Sequence, residues 1–317
     1  NVSNPFTKWI TVTDEVFMDE LQYNLYFKPV GGYIPVDWKI LNEHFLHLPQ
    51  LEKQVTTDDS RTLIVSDSPE TIKETGLLYQ EKVNGKARLY VCHVNGMEEK
   101  IQFAVLVTNP GNKTVTVTTT NRGEVYPSIY ANLIGHQASV DFLLDDKNPK
   151  SMEVPPGETR VYVLMPNFYP GQGVNAIYDV ETTGEVLFSF TATPPKTELD
   201  SIDDLKPLAF NGHVRGTFPV SSVKWEADAS SLTQPARLTI GDGKNDPFVS
   251  GSDYLENVER TNRGNYGVVY DIQLKKPPKM AVLILARGGV FKGPFKINGE
   301  FVMVPPSGVF TAFDGLQ

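Results

Sequence analysis

The feature that most constrains this chain is a succession of short β-prone runs, each closed by a cluster of turn-forming residues. Runs at 63–65, 87–94, 101–108, 115–119, 159–165 and 186–191 are dominated by β-branched, aromatic and other apolar side chains. Asn84-Gly85, Asn95-Gly96 and Asn109-Pro110-Gly111-Asn112 punctuate them. These residues supply the positive-φ or pre-bent backbone that a reversal needs, and the first two read as hairpin turns. Several short strands with regular turns predict a sandwich. One helix is expected to interrupt them and cap an open end, because Ile129, Leu133, Ile134, Val140 and Leu143 share a helical face.

At 317 residues the chain is longer than one compact core usually needs and suits two domains. The best linker is Thr193-Pro194-Pro195-Lys196-Thr197 with the polar stretch 200–204. The expected division is therefore an N-terminal strand and helix segment at 1–60, a first β-sandwich with an inserted helix at 61–195, and a second β-sandwich at 196–317. The fold class is mainly β, with Ig-like or jelly-roll-like sandwiches and one or two short helices. In the first segment, residues 9–13 and 21–27 read as a strand or hairpin. A short amphipathic helix is read over 36–51 from Trp38, Ile40, Leu41, Phe45 and Leu48, and 52–60 reads as a linker. Strands of the second sandwich are expected at 220–225, 236–240, 267–274, 280–286 and 301–304, with Lys275-Lys276-Pro277-Pro278-Lys279 as a surface turn.

Charge and cysteine content remove several function classes. Lys plus Arg number 29 against 38 for Asp plus Glu, and the resulting net charge of -9 repels phosphate backbones, so nucleic acid is not expected as a partner. The single cysteine, Cys92, is read as excluding an internal disulfide and any cysteine-built zinc or iron–sulfur site. It lies in an apolar run and reads as a small buried hydrophobe. No stretch approaches the ~18 apolar residues of a membrane helix, so no membrane insertion is expected.

Catalytic patterns find little support. His44-Phe45-Leu46-His47 places two histidines one helical turn apart, but a useful zinc site needs a third ligand. Gly251-Ser252 lacks the frame of a serine nucleophile elbow. Carboxylate pairs such as Asp14-Glu15, Asp145-Asp146 and Asp203-Asp204 occupy apparent turns, where capping accounts for them. Two loops remain as candidates. Asp242, Asn245 and Asp246 in Gly241-Asp242-Gly243-Lys244-Asn245-Asp246-Pro247 are the candidate ligands for calcium, which needs several oxygens, although Asp-Gly is also plain turn chemistry. Trp225, Tyr254 and Tyr266 are candidate platforms for a sugar, with core packing as the competing account.

The run Gly76-Leu77-Leu78-Tyr79-Gln80-Glu81-Lys82-Val83-Asn84-Gly85-Lys86-Ala87-Arg88-Leu89-Tyr90 and its continuation His93-Val94-Asn95-Gly96-Met97 carry a resemblance. So do Asn262-Arg263-Gly264-Asn265-Tyr266-Gly267-Val268-Val269-Tyr270 and the stretch from Ala286 to Gly299. The chain resembles exported proteins of spore-forming Gram-positive bacteria that are labelled copper amine oxidase N-terminal (stalk) domain proteins, here without a recognisable stalk module. The oxidase chemistry in that label does not carry over. Its quinone motif needs Thr-x-x-Asn-Tyr followed by an acid, whereas Thr261 stands one residue too far from Asn265-Tyr266, Gly267 replaces the acid, and His-x-His is missing. The resemblance implies a secreted or cell-surface location, at the wall or spore surface, and a non-catalytic role. The expected function is structural or adhesive, with self-association or cell-envelope components as partners. The alternative is a carbohydrate-binding module for wall or matrix polysaccharide.

Overall fold

The computed structural model describes residues 5, 7–37, 39, 43–144, 148–230 and 232–304. Trp38, Ile40, Leu41 and Asp145-Asp146 lie outside these residues. The fold is mainly β, as the turn-punctuated sequence predicts. Two α-helices are used below, α1 (Glu20–Phe27) and α2 (Ala131–Leu144). The strands of the N-terminal two thirds are β1 (Gln54–Asp58), β2 (Thr62–Ser66), β3 (Thr71–Ile72), β4 (Gly76–Val83), β5 (Lys86–Asn95), β6 (Gln102–Thr108), β7 (Val115–Glu124), β8 (Lys150–Val154), β9 (Thr159–Leu164), β10 (Gly173–Thr182) and β11 (Val186–Thr193). The remainder contributes β12 (Arg215–Phe218), β13 (Ser222–Asp228), β14 (Ser250–Asp253), β15 (Val258–Thr261), β16 (Val269–Lys275), β17 (Gly293–Ile297) and β18 (Glu300–Val304).

A large sheet runs in the order β15-β14-β12-β2-β5-β10-β7-β8, with β3 also on β5, and faces a smaller sheet ordered β4-β11-β6-β9. Alternation along the strands builds the core between them. Leu89 and Val91 of β5 and Ala176, Tyr178 and Val180 of β10 meet Phe103, Val105 and Val107 of β6 and Phe188 and Phe190 of β11. Their neighbours Arg88, Tyr90, Cys92, Asn175 and Asp179 point to the other face of the large sheet.

The turns expected to make hairpins instead switch sheets. Asn84-Gly85 joins β4 in the small sheet to β5 in the large one, Asn95-Gly96 leads back from β5 to β6, and Asn109-Pro110-Gly111-Asn112 returns from β6 to β7. A tight turn fixes reversal, but the partner is set by which face each strand must bury. Gly85, at φ +96, does take the positive-φ position its sequence calls for. Asn95 and Asn109 act as buried clasps. The amide nitrogen of Asn95 donates to the carbonyls of Glu99 and Phe168, and that of Asn109 donates to those of Lys113 and Val154, at 2.8 to 2.9 Å.

The expected boundary near residue 196 is cut across by hydrogen bonding. β12 continues the large sheet by pairing antiparallel with β2, Arg215 opposite Ser66 and Phe218 opposite Leu63, and β14 and β15 follow it. β1, expected as linker, pairs with β13, which pairs with β16 in parallel. The C-terminal strands thus divide among this three-stranded sheet, the large sheet and the hairpin β17–β18. Residues 236–240 and 280–286, expected as strands, form none. Packing decides this, since their apolar side chains serve loops and small clusters, such as Leu283 and Leu285 against Ile34 and Val36.

Residues 21–27 form helix α1 where a strand was expected. Asp19 accepts from the Gln22 backbone, and the Gln22 side chain accepts from the Asp19 backbone, a reciprocal cap that starts a helix. Leu21 and Leu25, one turn apart, pack on Ile34 and Val36. Within the read helix 36–51, Phe45–His47 make a single 3-10 turn.

α2, expected to cap an open end of the sandwich, lies instead on the outer face of the large sheet, across β7 and β10. Its approach is close enough that a Cβ on Gly123 of β7 would sit 1.8 Å from the Ala138 carbonyl oxygen. Beside it, Arg88 forms the joint between the two ends of the chain. Its Nε and Nη2 donate to the two Asp179 carboxylate oxygens at 2.7 and 3.1 Å, and Nη1 donates to the carbonyls of Ser221 and Gly267 at 2.7 and 3.0 Å. The Phe142 ring of α2 lies 5.0 Å away.

Candidate functional site

Three regions bear on function: the candidate sugar and calcium residues, the N-terminal stretch with the open sheet edges, and a polar cluster on the outer face of the large sheet.

Trp225 is not a surface platform. On β13 the pattern Val223, Trp225, Ala227 faces inward, and Trp225 is 1% exposed. Its ring packs edge-on to Tyr270 at 5.3 Å, with the Lys53 ammonium 4.3 Å from its centroid. A buried ring cannot stack on a glycan, so this candidate is corrected to core. Tyr254 and Tyr266 are exposed, the latter with its ring 6.0 Å from Tyr90. Trp225 is therefore separated in environment from the two tyrosines with which it was expected to act.

The Asp242 loop closes on its own donors. Asp242 Oδ1 accepts from the backbone amides of Lys244, Asn245 and Asp246 at 2.7 to 3.0 Å, and Oδ2 accepts from Asn245 Nδ2 at 2.7 Å. Partial desolvation pushes its carboxyl up, but these bonds outweigh that effect and bring it down to about 2. Asp246 Oδ2 is taken by the Gly241 amide and the Tyr270 hydroxyl, both at 2.7 Å. Carboxylates that face N–H and O–H donors do not converge on a shared cation, so the expected calcium ligands Asp242, Asn245 and Asp246 are corrected to a turn.

The N-terminal stretch is unlike the rest of the molecule. Trp9, Ile10 and Val12 are 95%, 80% and 91% exposed, and Val16 and Phe17 are exposed as well. The strand expected over 9–13 is not formed: these residues belong to no helix or strand and pair with no described strand. Elsewhere, among the described residues, β9 is bonded on one side only, to β6, and carries exposed Val161 and Leu164 along that edge of the small sheet. Apolar side chains and unpaired backbone at an edge are a template for another strand.

The polar cluster was not read from sequence. β2 leaves β5 after Ser66 pairs with Val91, and β3 rejoins it where Thr71 pairs with Val94. Residues 67–70 therefore arch beside Cys92 and His93. Ligand atoms of Asp67, Glu70 and Cys92 lie within 4.8 Å of one another. Burial, then the neighbouring Glu70 charge, pushes the Asp67 carboxyl up to about 8, and burial likewise raises the Cys92 thiol. His213 Nε2 reaches the Glu70 carboxylate at 3.1 Å. The only signal in the sequence is Asp67-Ser68-Pro69-Glu70, and nothing local links it to Cys92.

On the opposite side of β5, His93 is fully buried. A carbonyl can only accept, so Nδ1 donates to Pro69 and Nε2 accepts from the Ser66 hydroxyl, each at 2.9 Å. Burial lowers its pKa from 6.5 to about 4. Neutral imidazole is favoured in the fold, so this stabilisation is complete above 6.5 and is lost as the pH falls through about 4. Thermal midpoints measured from pH 7 to pH 4 are expected to fall, and His93→Gln to flatten that dependence. An unchanged slope in the variant would count against it.

No helix among the described residues is long and apolar enough to cross a membrane. Compared with known proteins, the chain matches no family model, no curated protein and no solved structure.

Proposed function

We propose that this chain is a non-catalytic structural protein, exported by a spore-forming Gram-positive bacterium, whose copies assemble on the cell wall or spore surface. The observation that supports this reading is the N-terminal stretch, where Trp9, Ile10 and Val12 stand in solvent on backbone that pairs with nothing described. Exposed apolar side chains in that number are costly unless a partner covers them. The occupant we assign is the β9 edge of a second copy, whose Val161 and Leu164 offer apolar contact beside unpaired backbone. The location rests on the resemblance to exported proteins. The alternative, a module for wall or matrix glycans, keeps Tyr254 and Tyr266 but loses Trp225 to the core.

The test is size exclusion with light scattering, followed by negative-stain microscopy, on the full chain and on a chain lacking everything before Met18. That cut spares α1, whose Leu21 and Leu25 pack on Ile34 and Val36. The full chain is expected to associate in a concentration-dependent way. The shortened chain is expected to stay single with its thermal transition intact, and Val161→Lys to weaken association from the other side. A full chain that remains single at every concentration sinks the proposal.

A further inference from the structure

The cluster beside Cys92 has the chemistry of a metal site. Asp67 is 5% exposed, and its Oδ1 has no hydrogen-bond partner. A buried carboxylate oxygen without a donor costs free energy, and proteins tolerate it where a proton or a cation takes the place of the donor. Here a second carboxylate, Glu70, and a thiol, Cys92, lie within 4.8 Å. When all three are ionised together they repel one another, and a bound cation compensates them.

We propose that Asp67, Glu70 and Cys92 bind a zinc ion on the outer face of the large sheet. Zinc accepts oxygen and thiolate donors in a small tetrahedral set. Calcium takes six to eight oxygens and gains little from sulfur, and magnesium keeps a nearly ideal octahedron. His213 holds Glu70 by its Nε2, the kind of outer contact that orients a ligating carboxylate. Asn175 stands directly opposite Cys92 on β10, closing the other side. The bound ion would fasten the arch 67–70 to β5. It would also steady the place where the Asp67 amide donates to the Val214 carbonyl, just ahead of β12.

Cobalt(II) is the probe, because thiolate ligation gives it a charge-transfer band in the near ultraviolet and tetrahedral geometry gives it strong visible absorption. The full chain is stripped with chelator, titrated with Co²⁺ alone, and then challenged with Zn²⁺ or Ca²⁺. The expected result is saturation at one equivalent, displacement by Zn²⁺ and not by Ca²⁺, and a rise in thermal midpoint on metal binding. Cys92→Ser is expected to abolish the charge-transfer band and Asp67→Asn to abolish binding. Glu70 is partly exposed, so Glu70→Gln is a third variant expected to fold and to weaken binding should either of the other changes unfold the chain. Absence of the band in the unaltered chain, or a band that survives in all folded variants, overturns the proposal. Because the readouts are spectroscopic, they are independent of whether copies assemble.

Discussion

Arg88→Met is expected to destabilise the fold by about 3–5 kcal/mol, the cost of stranding one member of a buried ion pair. The guanidinium makes a two-pronged contact with Asp179 and donates to the carbonyls of Ser221 and Gly267. Both partners of the ion pair are buried. Methionine fills similar volume beside Phe142 but leaves Asp179 facing the more distant Arg61, at 3.7 Å, and removes a donor from the Gly267 carbonyl and from that of Ser221, which keeps the Val269 amide. Urea unfolding followed by far-ultraviolet dichroism gives the measurement. The double change Arg88→Met with Asp179→Leu is expected to recover a large part of the loss, because the stranded charge goes with it. A single variant within about 1 kcal/mol of the parent would mean that the joint carries little stability.

Gly123→Ala is expected to cost about 3 kcal/mol through overpacking. The added methyl would lie 1.8 Å from the Ala138 carbonyl oxygen and 2.8 Å from the Phe142 amide nitrogen, both helix backbone, which cannot rotate aside. α2 must then lift from β7, loosening the contact of Phe142 with Arg88. Gly135→Ala on the same helix is the control. Nothing lies within 4 Å of that position, so the change is expected to stabilise by up to about 1 kcal/mol by removing a flexible residue from a helix interior. If both changes have the same sign, the close approach of helix and sheet is not what sets the response.

Much of the sandwich was legible because its strands carry their own evidence. β5, β6, β7, β9 and β11 coincide with apolar runs bounded by Asn, Gly or Pro; α2 was legible as a helix, but of the face read for it only Ile134 and Val140 are buried, while Ile129 and Leu133 are exposed. Pairing was not legible, because a turn such as Asn84-Gly85 states that the chain reverses and says nothing of which sheet receives it. The Pro194-Pro195 segment likewise marks an exposed connection, and exposure alone does not end a sheet. The cap on α1 was readable as Asp19-x-x-Gln22, but the alternation in 21–27 outweighed it in the strand reading.

Site residues were harder for a single physical reason. Trp225 beside polar loops looks the same in sequence whether its ring faces in or out, although the alternation Val223, Trp225, Ala227 already favoured burial. The Asp242 loop displays oxygens, but its own amides lie nearer to them than any ion would. Asp67, Glu70 and Cys92 come together only because β2 and β3 pair with the same strand on either side of the arch.

The pairing of β2 has a consequence for how the chain comes to be folded. One edge of β2 is satisfied early, by β5, whereas the other waits for β12, which lies beyond Pro194-Pro195. A chain made from its N-terminus holds Leu63 and Val65 on an open central strand until residues 215–218 have been synthesised. Bringing such distant segments together is slow, and an unpaired strand is open meanwhile to the wrong partner. A fragment ending at the proline pair would retain most of the sandwich and yet be sticky along its middle, so the C-terminal third acts as the seal on the core made before it.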